Sequence, residues 1–371
     1  MPKRLTTRHR SLCERLADSS LDALLVTHLP NVAYLTGLHA SAGAVLVTAQ
    51  SLHLVTDSRY STVAAALATS ESAPEGLEIV TVHQSYDETM QALLVRTGCR
   101  QVGVESAVMS LRQWTWLNDS LRDTDVTLVP VEDLVEAGRI VKDAQEVECF
   151  RRAGELIAGA VEPVLELVRP GRREREIAAR IDLTLAILGF EDRSFSTIVA
   201  SGPNSALPHA RPSDRCVEAG DLVLLDFGGV SGGYCVDLSR TVCVDRASDQ
   251  ASRLHMAVME AQQAAIAAVR PGVVASDVDA AARSTLARHE LAEAFGHGTG
   301  HGLGLEIHEA PRVGQTGQPG ADVILKPGMV LTIEPGVYVP GVGGVRIEDD
   351  ILVTDDGCEI LTDAPRGLTI G

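Results

Sequence analysis

What most constrains this chain is an internal repeat in its second half, built on two acid-bearing hairpins. The stretch VEAGDLVLLDFGGVSGGYCVDLSRTVCV can be laid over LKPGMVLTIEPGVYVPGVGGVRIEDDILV without a gap through the first strand. Gly220 and Gly328 each stand six residues before an acid, Asp226 and Glu334, and each acid is followed two residues on by a glycine, Gly228 and Gly336. Both segments then return to a second acid, Asp237 in one and Glu348 in the other. Upstream, Arg169-Pro170-Gly171 matches Arg270-Pro271-Gly272, each triplet ending one helical segment and preceding another. The pattern reads as two copies of helix, helix, hairpin. Packed about a pseudo-twofold axis, the copies bring four carboxylates to one centre.

Within the first copy, Val223, Leu224 and Leu225 run into Asp226. A Gly228-Gly229 and Gly232-Gly233 turn then returns to Tyr234, Cys235, Val236 and Asp237, the pattern of a hairpin. If Asp226 faces Asp237 across the pair, their Cβ atoms lie about 5 Å apart in apolar surroundings. Like charges that close cannot both stay ionised and buried without a cation or a shared proton between them. The hairpin alone leaves three readings: a metal site, an acid/base dyad, or a register that sends one aspartate to solvent. The repeat decides among them, because four carboxylates with no matching basic residue need divalent cations, two of them.

The chain has 371 residues, enough for two domains with substantial cores. Its 50 acidic residues against 32 basic ones argue against a nucleic-acid or anionic-membrane partner. The start, MPKRLTTRHRSLCERLADSS, is charged and has no apolar h-region, and no run of about 18 apolar residues follows, so no signal peptide or membrane span is expected. Seven scattered cysteines without a CxxC pair fit a reducing cytoplasm.

Residues 1–133 read as an α/β domain. Short β-rich runs at 21–27, 44–48, 52–56, 77–82, 102–105 and 126–131 alternate with helical patterns near 61–68, 87–95 and 111–121. Thr56-Asp57-Ser58-Arg59-Tyr60 is the unusual group there, and a strand end with a surface Asp–Arg pair accounts for it. Residues 134–142 read as a linker and 143–371 as the second domain. That domain opens on a long amphipathic helix over 143–168, capped by Asp143 and stopped by Gly171.

A third group, FGHGTGHGLGLEIHE over 295–309, lies between the two hairpins. His297 and His301 are four apart, but five glycines between Gly296 and Gly304 make a helix improbable, and an extended strand with close backbone approach is expected. A phosphate-cradling loop lacks its strand, helix and lysine. Three histidines, His297, His301 and His308, among carboxylates suit Mn, Co, Fe or Zn better than Ca or Mg.

Taken together, Asp226, Asp237, HGTGHGLGLEIHE, TIEPG around Glu334 and VRIED around Glu348 resemble the pita-bread metallopeptidases: methionine aminopeptidase, aminopeptidase P and prolidase. NVAYLTGLHASAGAVLVT followed by TDSRY is similar to the N-terminal domain of bacterial Xaa-Pro aminopeptidases and prolidases, which methionine aminopeptidases lack. The resemblance implies a creatinase/prolidase-type α/β domain followed by an α+β pita-bread domain with a pseudo-twofold repeat. It implies Asp226, Asp237, His301, Glu334 and Glu348 as ligands of two divalent ions, manganese first and cobalt or zinc next, with Asp237 and Glu348 bridging. Two such ions about 3.5–4 Å apart share a water and make it a hydroxide near neutral pH. It also implies His297 and His308 holding substrate, Glu334 carrying the proton, His209 in SALPHA contacting substrate, and Arg346 orienting the ligands. Ser239 stands where the DxTRT pattern has threonine, keeping the hydroxyl.

Hydrolysis of an N-terminal Xaa-Pro bond is the expected activity, by a cytoplasmic homodimer acting on peptides or dipeptides. Between the two activities the compact length and TDSRY favour aminopeptidase P, with Xaa-Pro dipeptidase (prolidase) as the alternative. Arg312, four residues after His308, resembles an arginine that some prolidases place for the dipeptide carboxylate, but bacterial aminopeptidase P sequences carry similar HEAPR stretches and a surface arginine accounts for it equally well. A creatinase-type amidinohydrolase or a non-catalytic peptide binder would have lost ligands that this chain keeps.

Overall fold

The computed structural model describes residues 4–370, which fall into two compact units dividing between Arg139 and Ile140. The first unit is a six-stranded mixed sheet in the order Leu77–Thr81, Leu52–Thr56, Ala44–Thr48, Ala23–Val26, Gln101–Glu105, Thr127–Val131. Every residue of Ala23–Val26, Ala44–Thr48 and Leu52–Thr56 is buried, as near-continuous apolar strands covered on both faces should be. The helices Ser61–Thr69, Tyr86–Thr97 and Leu111–Ser120 stand where the sequence pattern puts them.

Three helices there escape that pattern, Arg4–Asp18, Leu29–Thr36 and the single turn Glu136–Arg139. In the first, a helical period (Leu5, Leu12, Leu16 buried) is masked by charged residues between. The second is short, with a proline in its first turn and Gly37 as a left-handed stop. Asp57 and Arg59 form the surface pair, Arg59 donating through Nε and Nη2 at 2.9 and 2.7 Å.

The second unit opens on the helix Ala144–Leu165. Asp143 accepts from the N–H groups of Gln145 and Glu146, and Glu146 reaches back to the Asp143 N–H at 2.9 Å, a reciprocal cap worth about 1 kcal/mol. The helix ends at Leu165, three residues short of the expected Val168, because the following residues tighten into shorter turns, Leu167 to Val164 and Val168 to Leu165. Gly171 belongs instead to a turn that recurs in the second copy. Its N–H donates to Val217 as that of Gly272 donates to Leu325, and Gly220 and Gly328 donate to Val244 and Val353. All four glycines have φ between +84° and +88°.

Each copy therefore lays two helices on a hairpin. Glu174–Leu188 and Ala144–Leu165 pack on Leu222–Ser231 with Tyr234–Val244, while Asp249–Ala268 and Ala275–Arg288 pack on the second hairpin. The second hairpin is interrupted. Its outer halves, Val330–Ile333 and Asp349–Val353, belong to a five-stranded sheet with Gly300–Gly302, Glu309–Val313 and Cys358–Ile360, and its inner halves, Gly336–Val339 and Gly343–Arg346, pair alone. Among the described residues no helix is long and apolar enough to cross a membrane.

The glycine-rich stretch is non-helical, and within it Gly300–Gly302 forms a strand while the residues on either side are irregular. A Cβ on Gly300 would overlap the carbonyl of Thr332 on the neighbouring strand, and one on Gly302 the carbonyl of Ala310. Gly300→Ala is accordingly expected to cost about 3 kcal/mol or more by overpacking against main chain. Gly272→Ala has open space around its Cβ and only a positive φ to strain it, so about 1 kcal/mol is expected there. Urea midpoints of the two variants check the difference.

Candidate metal centre

The two hairpins deliver their acids differently. In the first, register pairs Asp226 with Ser239 and Asp237 with Gly228, so the aspartates share a face but sit two residues out of step rather than opposite. In the second, Ile333 pairs with Asp349 and Gly336 with Arg346, which puts Glu334 across from Glu348 at the interruption. Glu348 is thus the counterpart of Ser239, and the Ser239 hydroxyl donates to Glu348 Oε2 at 2.7 Å, joining the copies. The Glu348 N–H also donates to the Ser239 carbonyl, at 3.1 Å.

Asp226, Asp237, His301, Glu334 and Glu348 all line one cavity of about 560 Å³, together with His209, His297, His308, Arg312 and Arg346. Asp237, Asp226 and Glu348 are only 6%, 8% and 1% exposed. One ligand atom from each of Asp237, His301 and Glu348 lies within 4.8 Å of the others. His301 Nε2 stands 3.6 Å from Glu334 and 4.0 Å from Asp237. Its other nitrogen donates to the Gly302 carbonyl at 3.0 Å, which leaves an Nε2 lone pair turned towards carboxylate oxygens. Such a pair of acceptors is stable only with a cation between them.

The rest of the cluster gives the same result. Among the described residues Asp226 Oδ1, Asp237 Oδ1 and Glu348 Oε1 are buried without any hydrogen-bond partner, which native proteins rarely tolerate unless a ligand fills the place. A matching base does exist: Arg346 donates from Nη2 to Asp226 at 2.5 Å and from Nε to Ser239 at 3.0 Å. It answers one carboxylate and leaves three. Burial, reinforced by neighbouring acids, raises the carboxyls of Asp237 and Glu348 well above the usual range, and burial raises Glu334 to about 7. Burial lowers His301 to about 4 and, with help from the Arg346 charge, His297 to about 4. A site that repels protons from imidazole and forces them on carboxylates suits a divalent metal.

Around this cluster the remaining residues sort by exposure. His209, His308 and Arg312 are exposed at the cavity wall. His297 is half-buried with both ring nitrogens engaged, Nδ1 donating to the Gly298 carbonyl at 2.8 Å and Nε2 accepting from the Tyr338 hydroxyl at 3.0 Å. Tyr338 accepts from Arg346 Nη1 at 2.6 Å, so Arg346, Tyr338 and His297 form one directed chain. Tyr338 is absent from the sequence reading; its signal was a lone tyrosine four residues after Glu334, equally suited to a strand core. Of the apolar lining, Phe195 and Ile198 come from a segment whose sequence carries no motif, and Ile307 from within the histidine and glycine stretch. Asp350 is a further hidden participant, its Oδ2 accepting the Asp237 N–H at 3.0 Å.

Residues 148–355 match Metallopeptidase family M24 and residues 8–141 match the Creatinase/Prolidase N-terminal domain. The chain is 35% identical over 363 residues to the Xaa-Pro dipeptidase of Pyrococcus horikoshii, covering 97% of each chain. Its fold superposes on the Xaa-Pro dipeptidase from Bacillus anthracis with a TM-score of 0.93 at 33% identity, over 99% of this chain and 100% of that one. It superposes on the X-Pro aminopeptidase from Thermotoga maritima with a TM-score of 0.85 at 32% identity, over 96% and 100%. The pita-bread architecture, the N-terminal domain and the carboxylate cavity agree with these matches: the chain belongs to metallopeptidase family M24 and is a metal-dependent peptidase.

Proposed function

We propose that this peptidase is an Xaa-Pro dipeptidase whose divalent metal ions, manganese first by the mixed carboxylate and imidazole donors, are held by Asp226, Asp237, His301, Glu334 and Glu348. The observation that carries the dipeptide reading is Arg312. Its guanidinium is exposed on the wall of the same cavity as the acids and, among the described residues, has no carboxylate partner. A free cation beside an acid cluster fits a substrate that ends in a carboxylate one residue past the scissile bond. The relatives from Pyrococcus horikoshii and Bacillus anthracis carry the dipeptidase name. Both lines favour prolidase over the aminopeptidase P activity preferred from compact length and TDSRY, neither of which touches the cavity.

A divalent pair supplies Lewis acidity and a water made nucleophilic near neutral pH. The chain does the rest. The Xaa-Pro bond is a tertiary amide with no N–H and a fixed φ, so recognition falls on the ring, for which Phe195, Ile198 and Ile307 form an apolar wall. His308 and His209, exposed at the wall, donate to the substrate carbonyl as negative charge builds there. His297 is engaged at both nitrogens, so we give it the holding of Tyr338 rather than a direct contact. Glu334, which stands at the acid cluster beside His301, takes a proton from water and returns it to the leaving proline nitrogen.

Metal binding and pH are coupled with a definite sign. Glu334 is raised to about 7 in the folded, metal-free site, so its contribution to stability is present below the ordinary carboxyl value and is lost as pH rises through about 7. His301, lowered to about 4, is already neutral in the folded site over this range and does not compete with the metal. Its own contribution to stability grows as pH rises through the ordinary imidazole value and is the same with or without competition at Glu334. Metal replaces the protons that the carboxylates otherwise need. The rise in Tm on adding excess Mn²⁺ to chelator-stripped protein is therefore expected to be larger at pH 8 than at pH 5, and a rise that shrinks over that interval counts against the four-acid cage.

Substrate length is tested by assaying manganese-loaded protein on a Xaa-Pro dipeptide and a Xaa-Pro-Xaa tripeptide. The dipeptide is expected to be preferred, and Arg312→Ala to raise its KM about 10- to 100-fold through loss of a charge-assisted pair. Preference for the tripeptide, with KM indifferent to Arg312, returns the aminopeptidase reading.

A further inference from the structure

Two buried carboxylates outside the ligand set do the same work in the two repeats. Glu174, first residue of the helix Glu174–Leu188, is fully buried. Its Oε1 accepts from the Ser201 N–H at 2.7 Å, the Ser201 hydroxyl at 2.8 Å and Asn204 Nδ2 at 3.0 Å. Its Oε2 accepts from the Ser213 N–H at 2.9 Å and the Ser213 hydroxyl at 2.6 Å. Burial pushes this carboxyl up, but the hydrogen bonds from Ser213, Ser201 and Asn204 outweigh it and hold the group below its ordinary value. The segment clamped between Ser201 and Ser213 is the one that carries Pro208 and His209. Its middle meets the site, since Arg346 Nη1 donates to the Pro208 carbonyl at 3.3 Å and the Gly344 N–H to the Ser205 hydroxyl at 2.9 Å.

In the second repeat Asp279, on the helix Ala275–Arg288, is 1% exposed. Its Oδ1 accepts from the Thr299 N–H at 3.0 Å and the Thr299 hydroxyl at 2.8 Å. Thr299 stands between His297 and His301, and its carbonyl accepts the Glu334 N–H at 2.7 Å. Asp279 Oδ2 also accepts from Arg283 Nε at 2.7 Å, and Arg283 donates onward to the carbonyls of Phe295 and His297. The two acids are not aligned in sequence. Glu174 lies three residues after Gly171 and Asp279 seven after Gly272, a difference of about one helical turn that keeps both on the same helix face. The same device, a helix-borne carboxylate that takes both the N–H and the hydroxyl of one Ser or Thr, therefore recurs without sequence equivalence.

We propose that Glu174 and Asp279 are repeat-related positioning residues: Glu174 sets His209 against the substrate through Ser201 and Ser213, and Asp279 sets His297, His301 and the Glu334 main chain through Thr299. What the histidines then do rests on the dipeptidase reading above. Neither acid faces the cavity, so neither touches substrate or metal.

A double-mutant cycle tests this. Glu174→Gln turns an amide NH₂ towards donors that had an acceptor. It is expected to lower kcat/KM for a Xaa-Pro dipeptide about 10- to 100-fold in the wild-type background and by less than about 2-fold once His209 is alanine, with unchanged metal content. Asp279→Asn is expected to lose as much in the wild-type background and measurably less, though not all of it, once His297 is alanine, because Thr299 also fixes His301 and the Glu334 main chain. Equal losses in both backgrounds overturn the proposal. If Glu174→Gln does not fold, Ser213→Ala keeps the carboxylate and removes one donating hydroxyl; it is expected to lose about 3-fold in the wild-type background only. A second readout needs no substrate: imidazole ¹⁵N resonances of histidine-labelled protein, assigned with the alanine variants. Glu174→Gln should move His209 and leave His297, and Asp279→Asn the reverse. That pattern in a protein inert towards Xaa-Pro peptides keeps the positioning and discards the substrate reading. An active dipeptidase without the pattern discards the positioning.

Discussion

Everything in the second unit answers to one constraint, the repulsion among four carboxylates crowded into one largely buried cavity. Three of them, Asp226, Asp237 and Glu348, each leave a buried oxygen without a partner. Desolvation alone costs several kcal/mol per ion in real proteins. Arg346 relieves one acid and is itself fully committed, to Asp226, Ser239, Tyr338 and Pro208. A fold that relaxed freely would rotate the acids to solvent, and this one does not because each is fixed by its strand. A one-residue slip would flip the whole face, and both hairpins have their apolar faces sealed under helices. The helices and hairpins thus hold a charge arrangement that only a multivalent cation completes.

The repeat supplies the symmetry and the departures from it supply the site. Four strictly equivalent acids would form two like pairs. Instead, Ser239 occupies the place opposite Asp226 that Glu348 occupies opposite Glu334, while Asp237 sits two residues nearer its turn. The serine hydroxyl then becomes the link that Glu348 needs, and Asp237 is moved to within reach of His301. Behind the second hairpin Asp349 is enclosed by Arg240, Gln262 and Arg366. Adjacent acids in VRIEDD consequently have opposite situations: Glu348 meets the cavity, Asp349 is neutralised, and Asp350 holds the Asp237 main chain.

Much of this was legible in the chain. The copies, the two acids on each hairpin and the non-helical course of FGHGTGHGLGLEIHE follow from spacing, glycine content and apolar periodicity, which are local signals, although only Gly300–Gly302 of that stretch forms the expected strand before Glu309. The register was not, because turn length alone leaves the Asp226 partner open by two residues, and only packing of both faces selects Ser239. The end of the helix at Leu165 was missed for a similar reason: a glycine with positive φ marks the repeat's turn six residues on, and the tightening before it leaves no residue-type trace. Tyr338, Glu174 and Asp279 are isolated polar residues whose roles exist only through contacts distant in sequence. Of the two activities expected, the relatives favour the prolidase alternative over aminopeptidase P; the preference for the latter rested on length and TDSRY rather than on Arg312, which lines the cavity.

The two copies also divide the work between rigidity and access. The second copy carries His301 on a strand so closely packed that Gly300 and Gly302 leave no room for a side chain, which fixes the main chain under His301. The first copy has a long segment in the corresponding role, from Ser201 to Ser213, with Leu207 and His209 exposed. A loop of that length needs anchoring if it is to present a side chain in one place, and a fully buried carboxylate with five donors is an effective anchor, because each bond to an ionised acceptor is stronger than a neutral one. The strand side can then hold what must not move, and the loop side can meet a substrate that must enter and leave.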